Sequence, residues 1–114
     1  MSRGRWHILR EDGAVTLART LPPRFDVVAE TVLPDARRLR LAHQVRQDMW
    51  RALRSVRGFS PVVRVERRGG VILVKAGGRT AMPVAAGLSA RIADVLEDAA
   101  NRRRWIRYAG AASC

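Results

Sequence analysis

The chain has 114 residues, 47% of them apolar and 28% charged, a balance that fits one globular domain and excludes both a disordered basic tail and two independent cores. Lys and Arg number 22 against 10 acidic residues, a formal net charge of +12, so the surface repels itself and attracts polyanions. The lone cysteine, Cys114, excludes an internal disulfide framework or cysteine metal site, and no apolar run approaches the ~18 residues of a membrane span.

The basic opening, Met1-Ser2-Arg3-Gly4-Arg5, is not followed by the apolar stretch of a secretory signal, and the expected location is the cytoplasm. Of the 22 cations, 21 are arginine and only Lys75 is lysine. Guanidinium forks match phosphate oxygens and guanine edges, which favours nucleic acid as the partner. A GC-rich coding sequence would raise Arg along with Ala, Gly and Val and accounts for the Arg-to-Lys ratio equally well. It does not account for the excess of positive charge.

Residues 6–10 and 14–20 are short β-type runs joined by Glu11-Asp12-Gly13, and Asp-Gly between such runs signals a hairpin. Leu21-Pro22-Pro23 ends the second run, since proline cannot donate to a ladder. Residues 25–33 alternate, with Phe25, Val27, Ala29, Thr31 and Leu33 on one face and Asp26, Val28, Glu30 and Val32 on the other. A third strand is expected there. Pro34-Asp35 breaks it, and Asp35 is the expected N-cap of a long helix over 36–57, closed by Gly58.

That helix carries the main functional signal. Arg37, Arg40, Gln44, Gln47, Arg51 and Arg54 recur at spacings of three and four and form one stripe along its length. The opposite side, with Leu41, Ala42, Val45, Met49, Ala52, Leu53 and Val56, forms a broad apolar arc suited to a core. Asp48 is the helix's only acid, so little intrahelical pairing neutralises the stripe. Arginine supplies phosphate contacts, and glutamine can pair with an adenine edge. The competing explanation is an ordinary polar helix face filled with arginine by composition.

Residues 62–67 and 71–76 form a second expected hairpin across Arg68-Gly69-Gly70, with Val63 and Val65 opposed to Arg64 and Glu66, and Gly77-Gly78 ending it. The run Val71-Ile72-Leu73-Val74 is apolar on both faces and fits an interior strand. A last helix over 84–108 would bury Leu88, Ile92, Val95, Leu96, Ala99 and Ile106, with Gly87 weakening its start. Its end carries Arg102, Arg103, Arg104, Trp105, Arg107 and Tyr108, cations beside aromatics that could grip a backbone and stack a base. The same residues also suit a helix C-terminus electrostatically. A tail over 109–114 completes the chain.

The expected fold is therefore α+β: a mainly antiparallel sheet of about five strands, in the order βββαββα, with two helices packed on one face, forming a single basic domain over 1–108. No catalytic, metal-binding or cofactor pattern stands out. His7 and His43 lie in different elements, Asp26 and Glu30 lack a metal-nuclease context, and neither glycine pair has the strand-to-helix setting of a phosphate loop. Two functions fit. One is a non-enzymatic nucleic-acid-binding protein, with DNA favoured over RNA because the binding element is a helix and exposed aromatics are few. The other is a basic adaptor or homo-oligomeric interaction subunit, a homodimer for example, that docks on an acidic protein, with Trp6, Trp50 and Trp105 as anchors.

Overall fold

The computed structural model describes residues 6–110. Five antiparallel strands form one sheet: β1 (His7–Glu11), β2 (Ala14–Ala18), β3 (Val27–Pro34), β4 (Ser60–Arg68) and β5 (Val71–Arg79), in the spatial order β1-β2-β4-β5-β3. The helices are α1 (Arg38–Leu53), α2 (Leu88–Glu97) and α3 (Ala99–Ala109). The class is α+β as the hydrophobic patterning requires, with three helices instead of two.

The hairpins follow from their turns. Asp12-Gly13 pairs Glu11 with Ala14, and Gly69-Gly70, both at positive φ, pair Arg68 with Val71. Period-2 alternation then sorts the sheet. Leu17, Val63, Val65, Val74, Ala76, Ile72 and Leu33 fall on the covered face and are buried, while Arg64, Glu66, Lys75 and Glu30 fall on the open one. The doubly apolar run of β5 is interior, as expected. Gly77-Gly78 does not end that hairpin but lies inside β5, paired with β3 and β4. A Cβ at Gly77 would run into the Val27 carbonyl, and one at Gly78 into the Ser60 carbonyl, so the glycines allow both neighbouring backbones to approach.

α1 covers β2, β4 and β5 through Leu41, Ala42, Val45, Met49 and Leu53, and α2 covers β3 and β5 through Leu88, Ile92 and Leu96. At about 1.5–3 kcal/mol per large buried side chain, this layer is the main source of stability. α1 is shorter than its sequence pattern suggests. Asp35 is not its N-cap, because its carboxylate takes the Arg67 Nε–H at 2.7 Å, and Arg67 also donates to the Ala36 carbonyl at 3.2 Å. Arg37 stands at the N-cap with no side-chain hydrogen bond, and Arg54 is the C-cap. Ala52, expected in the apolar arc, lies within the helix but is exposed.

The single last helix expected over 84–108 is divided at Asp98. This residue is extended (φ −65°, ψ 120°), and its carboxylate caps α3 by accepting the Asn101 N–H at 2.9 Å. Continuing α2 straight on would place Trp105 opposite Leu96 and turn it to solvent. The break redirects α3 onto α1 and α2, where Trp105 and Ala109 are buried. Ala109 therefore closes α3 instead of beginning a tail, Gly110 caps it, and residues 111–114, like 1–5, lie outside the described residues.

Candidate nucleic-acid interface

α1 presents three sectors around its axis. One faces the sheet. The second is the arginine–glutamine ridge, where Arg37, Arg40, Gln47, Arg51 and Arg54 are exposed and Gln44 is half-buried. Its 18 residues from Arg37 to Arg54 correspond to about 25 Å of helix. Among the described residues Arg37, Arg40 and Arg54 form no ion pair. The third sector, flanking the ridge, is split between α3 on one side and a cavity on the other.

On the α3 side the organising group is Asp48. Its carboxylate points away from the ridge and is held by Trp105 Nε1 at 2.6 Å, Arg104 Nη1 at 2.6 Å and, more loosely, Arg51 Nη1 at 3.4 Å. The helix's only acid is thus engaged by its neighbour. This arrangement also changes the status of the C-terminal cluster. Trp105 is 0% exposed and cannot stack on a base. Its indole fills the α1–α3 seam, where burying an apolar ring with a satisfied N–H outweighs leaving it in water.

Arg104 is committed to Asp48 and to Asn101 Oδ1 at 2.7 Å. Arg102 ties α3 back to the end of α2 and to the edge strand β3, donating to Leu96 O at 2.9 Å, Thr31 Oγ1 at 2.8 Å and Val32 O at 2.7 Å. Three of the six cluster residues are therefore structural. Arg103 and Arg107, four residues apart on the side of α3 away from Trp105, stay exposed, as does Tyr108 at 58%.

The remaining acids are mostly held elsewhere. On the open sheet face, Arg64 bridges Glu11 at 3.1 Å and Glu66 at 3.0 Å, and Arg68 takes the other Glu66 oxygen at 3.0 Å. Hydrogen bonds from Arg68 and Arg64 hold the Glu66 carboxyl below its ordinary range, and those to Glu11 and Glu66 raise the Arg64 guanidinium. Asp26 is likewise lowered, first by the two-pronged bond from Arg24 and then by the Thr80 N–H. These carboxylates are structural, and the charge left over belongs to the helical side.

The cavity on the other flank of α1 measures about 410 Å³ and is lined by Trp6, Arg19, Arg46, Trp50, Phe59, Ser60 and Pro61. The Arg46 guanidinium lies 4.8 Å from the Trp6 ring centre and that of Arg19 5.5 Å from it. Both distances suit cation–π attraction. Burial and then the like charge of Arg19 lower the Arg46 pKa, and burial followed by Arg46 lowers that of His43. Sequence patterning missed this site, although parts of it were visible. Trp6 faces Arg19 across the Asp12-Gly13 turn, and Arg46 and Trp50 are i,i+4 on α1. The pairing of β2 with β4, which slides the hairpin beneath α1, is a long-range contact without a local signal.

Among the described residues no helix is long and apolar enough to cross a membrane, and no cluster of three His, Cys, Asp or Glu side chains could hold a metal. Compared with protein-family models, curated proteins and solved structures, the chain matches none.

Proposed function

We propose that this protein is a non-enzymatic nucleic-acid-binding domain whose α1 ridge tracks a phosphate backbone. One observation carries the reading. Arg37, Arg40 and Arg54 are exposed and, among the described residues, unpaired along one face of a helix whose single carboxylate is turned inward onto Trp105 and Arg104. A row of cations without counter-charges is favourable beside a polyanion and unfavourable alone.

The flanks of the ridge set the mode of binding. α3 packs directly beside α1, so the helix is part of a layer and does not project as a free rod that could enter a major groove to its full depth. Gln44 is half-buried, leaving Gln47 as the exposed amide of the ridge. Backbone contact that is largely independent of sequence is the consistent mode, with duplex DNA the first ligand to test.

The test is salt-dependent binding of a fluorescent duplex by the wild type and by the triple variant Arg37→Gln, Arg40→Gln, Arg54→Gln. With each phosphate contact contributing a slope of about −0.9 in log affinity against log salt, the variant should lose a slope of about 3 while retaining its circular dichroism. An unchanged slope with the fold retained removes the ridge from the interface. A basic adaptor for an acidic protein would use the same arginines, and partners that survive nuclease and 0.5 M salt would favour that reading.

A further inference from the structure

The cavity beside the ridge lies outside the backbone-binding reading and has its own chemistry. Two guanidinium groups, Arg19 and Arg46, converge on one indole, that of Trp6, and among the described residues no carboxylate lines the space. Arg46 Nε is buried without a hydrogen-bond partner among the described residues, and Arg46 forms no ion pair there. A buried charged donor lacking an acceptor, next to a second cation, is a site that an anion would complete. The walls specify more than charge. Trp6 is half-buried, Trp50 is 40% exposed, and Phe59 is buried beside them, so the anion should carry a flat ring. A volume of about 410 Å³ falls in the range of small-molecule pockets and exceeds what a bare phosphate would fill.

We propose that this cavity binds a nucleotide as a unit, with the base against the indoles and the 5′-phosphate on Arg46 and Arg19. The nucleotide has two potential sources, the phosphorylated end of a strand or a free mononucleotide. Their shared chemistry is a base joined to a phosphate. Trp50 stands four residues before Arg54, so the mouth of the cavity adjoins the ridge, and a strand following the ridge could place its end there. The proposal deepens the nucleic-acid reading but does not depend on it, because a free nucleotide needs none of the ridge arginines.

The experiment is a tryptophan-fluorescence titration of the full chain with adenosine 5′-monophosphate, adenosine and inorganic phosphate. Trp6 and Trp50 report on the cavity, while buried Trp105 gives a constant background. Saturable quenching by the monophosphate at millimolar concentration or below is expected, at least about tenfold tighter than by adenosine, because a charge-assisted fork is worth that much or more. Inorganic phosphate should bind more weakly than the monophosphate. Arg46→Gln should weaken the monophosphate by about tenfold, Arg46→Lys should restore only part of the loss, and Trp50→Ala should remove most of the signal, each with thermal unfolding as a fold check.

Absence of saturable quenching by the monophosphate overturns the proposal, as does equal affinity for adenosine or an Arg46→Gln variant that folds and binds like the wild type. Repeating the titration in the ridge triple variant separates the two readings. Retained nucleotide binding with lost duplex binding supports both readings and shows that the cavity acts independently of the ridge. An octanucleotide bearing a 5′-phosphate then identifies the source. Competition with the monophosphate that disappears on dephosphorylation supports the strand end, and indifference to the end phosphate supports the free nucleotide.

Discussion

Asp48→Ala should destabilise the protein by about 2–3 kcal/mol, a figure that follows from its three donors. The substitution removes the charge and both acceptor oxygens. Asn is the milder change, because Trp105 Nε1 and Arg104 Nη1 both donate to Oδ2 and one amide oxygen in that place accepts both. Trp105 Nε1, at 2.6 Å and inside a fully buried residue, has no route to water, and stranding it costs about 2 kcal/mol. Arg104 and Arg51 are different, since their side chains are 36% and 62% exposed and regain solvent. Discounted for screening, their loss adds about 1 kcal/mol or less.

In a domain of this size the total corresponds to a fall in Tm of about 8–15 °C. Thermal and urea unfolding followed by circular dichroism would measure it. A double-mutant cycle with Trp105→Phe isolates the bond, with a coupling of about 1 kcal/mol or more expected. Simple additivity of the two variants, or a Tm shift below about 2 °C, would refute the assignment of Asp48 as the anchor of α3.

Gly77→Ala should cost about 2–4 kcal/mol or prevent folding, because the methyl meets the Val27 backbone, whereas Gly69→Ala, in an open turn, should cost only about 1 kcal/mol. Urea midpoints of the two variants make the comparison. Asp26, depressed in the folded protein by Arg24 and the Thr80 N–H, stabilises the fold above the unfolded carboxyl pKa of about 3.9 and loses that contribution as pH falls through its lower folded value. Unfolding midpoints taken from pH 6 to 2.5 should therefore decline less steeply for Asp26→Asn. The His43 imidazole should titrate below about 6.5 by NMR, and Arg46→Gln should move its midpoint upward by removing a like charge; a midpoint at or above 6.5 in the wild type would contradict the packing described.

Local chemistry made much of this legible. Asp12-Gly13 and Gly69-Gly70 set two hairpins, alternation set which sides of β3 and β4 are covered, and the apolar arc of α1 was visible because Leu41, Val45, Met49 and Leu53 keep a helical period. The ridge was visible for the same reason. What the sequence concealed depended on partners distant in the chain. Asp35 resembles an N-cap until Arg67, 32 residues away, claims its carboxylate. Asp98 reads as one polar residue in a long helix unless its capping of Asn101 is recognised, and with it goes the placement of Trp105. The Arg102–Tyr108 cluster looked uniform by composition, yet burial divides it into three anchors and an exposed remainder.

The ion-pair lattice of the open sheet face has a consequence for how the molecule meets a ligand. Glu11, Glu30 and Glu66 share that face with Arg64, Arg68 and Lys75, so its charges cancel, while on the opposite layer Arg51 is the one ridge arginine with a carboxylate partner among the described residues. The protein is therefore an electric dipole as well as a cation. In the field of a polyanion it experiences a torque before contact, turning α1 forward while still within about a Debye length, roughly 10 Å at 0.1 M salt. Reversing Arg64 and Glu66 together would leave the net charge unaltered and that orientation nearly so. Moving a single ridge arginine to the sheet face would slow association without changing the total charge at all.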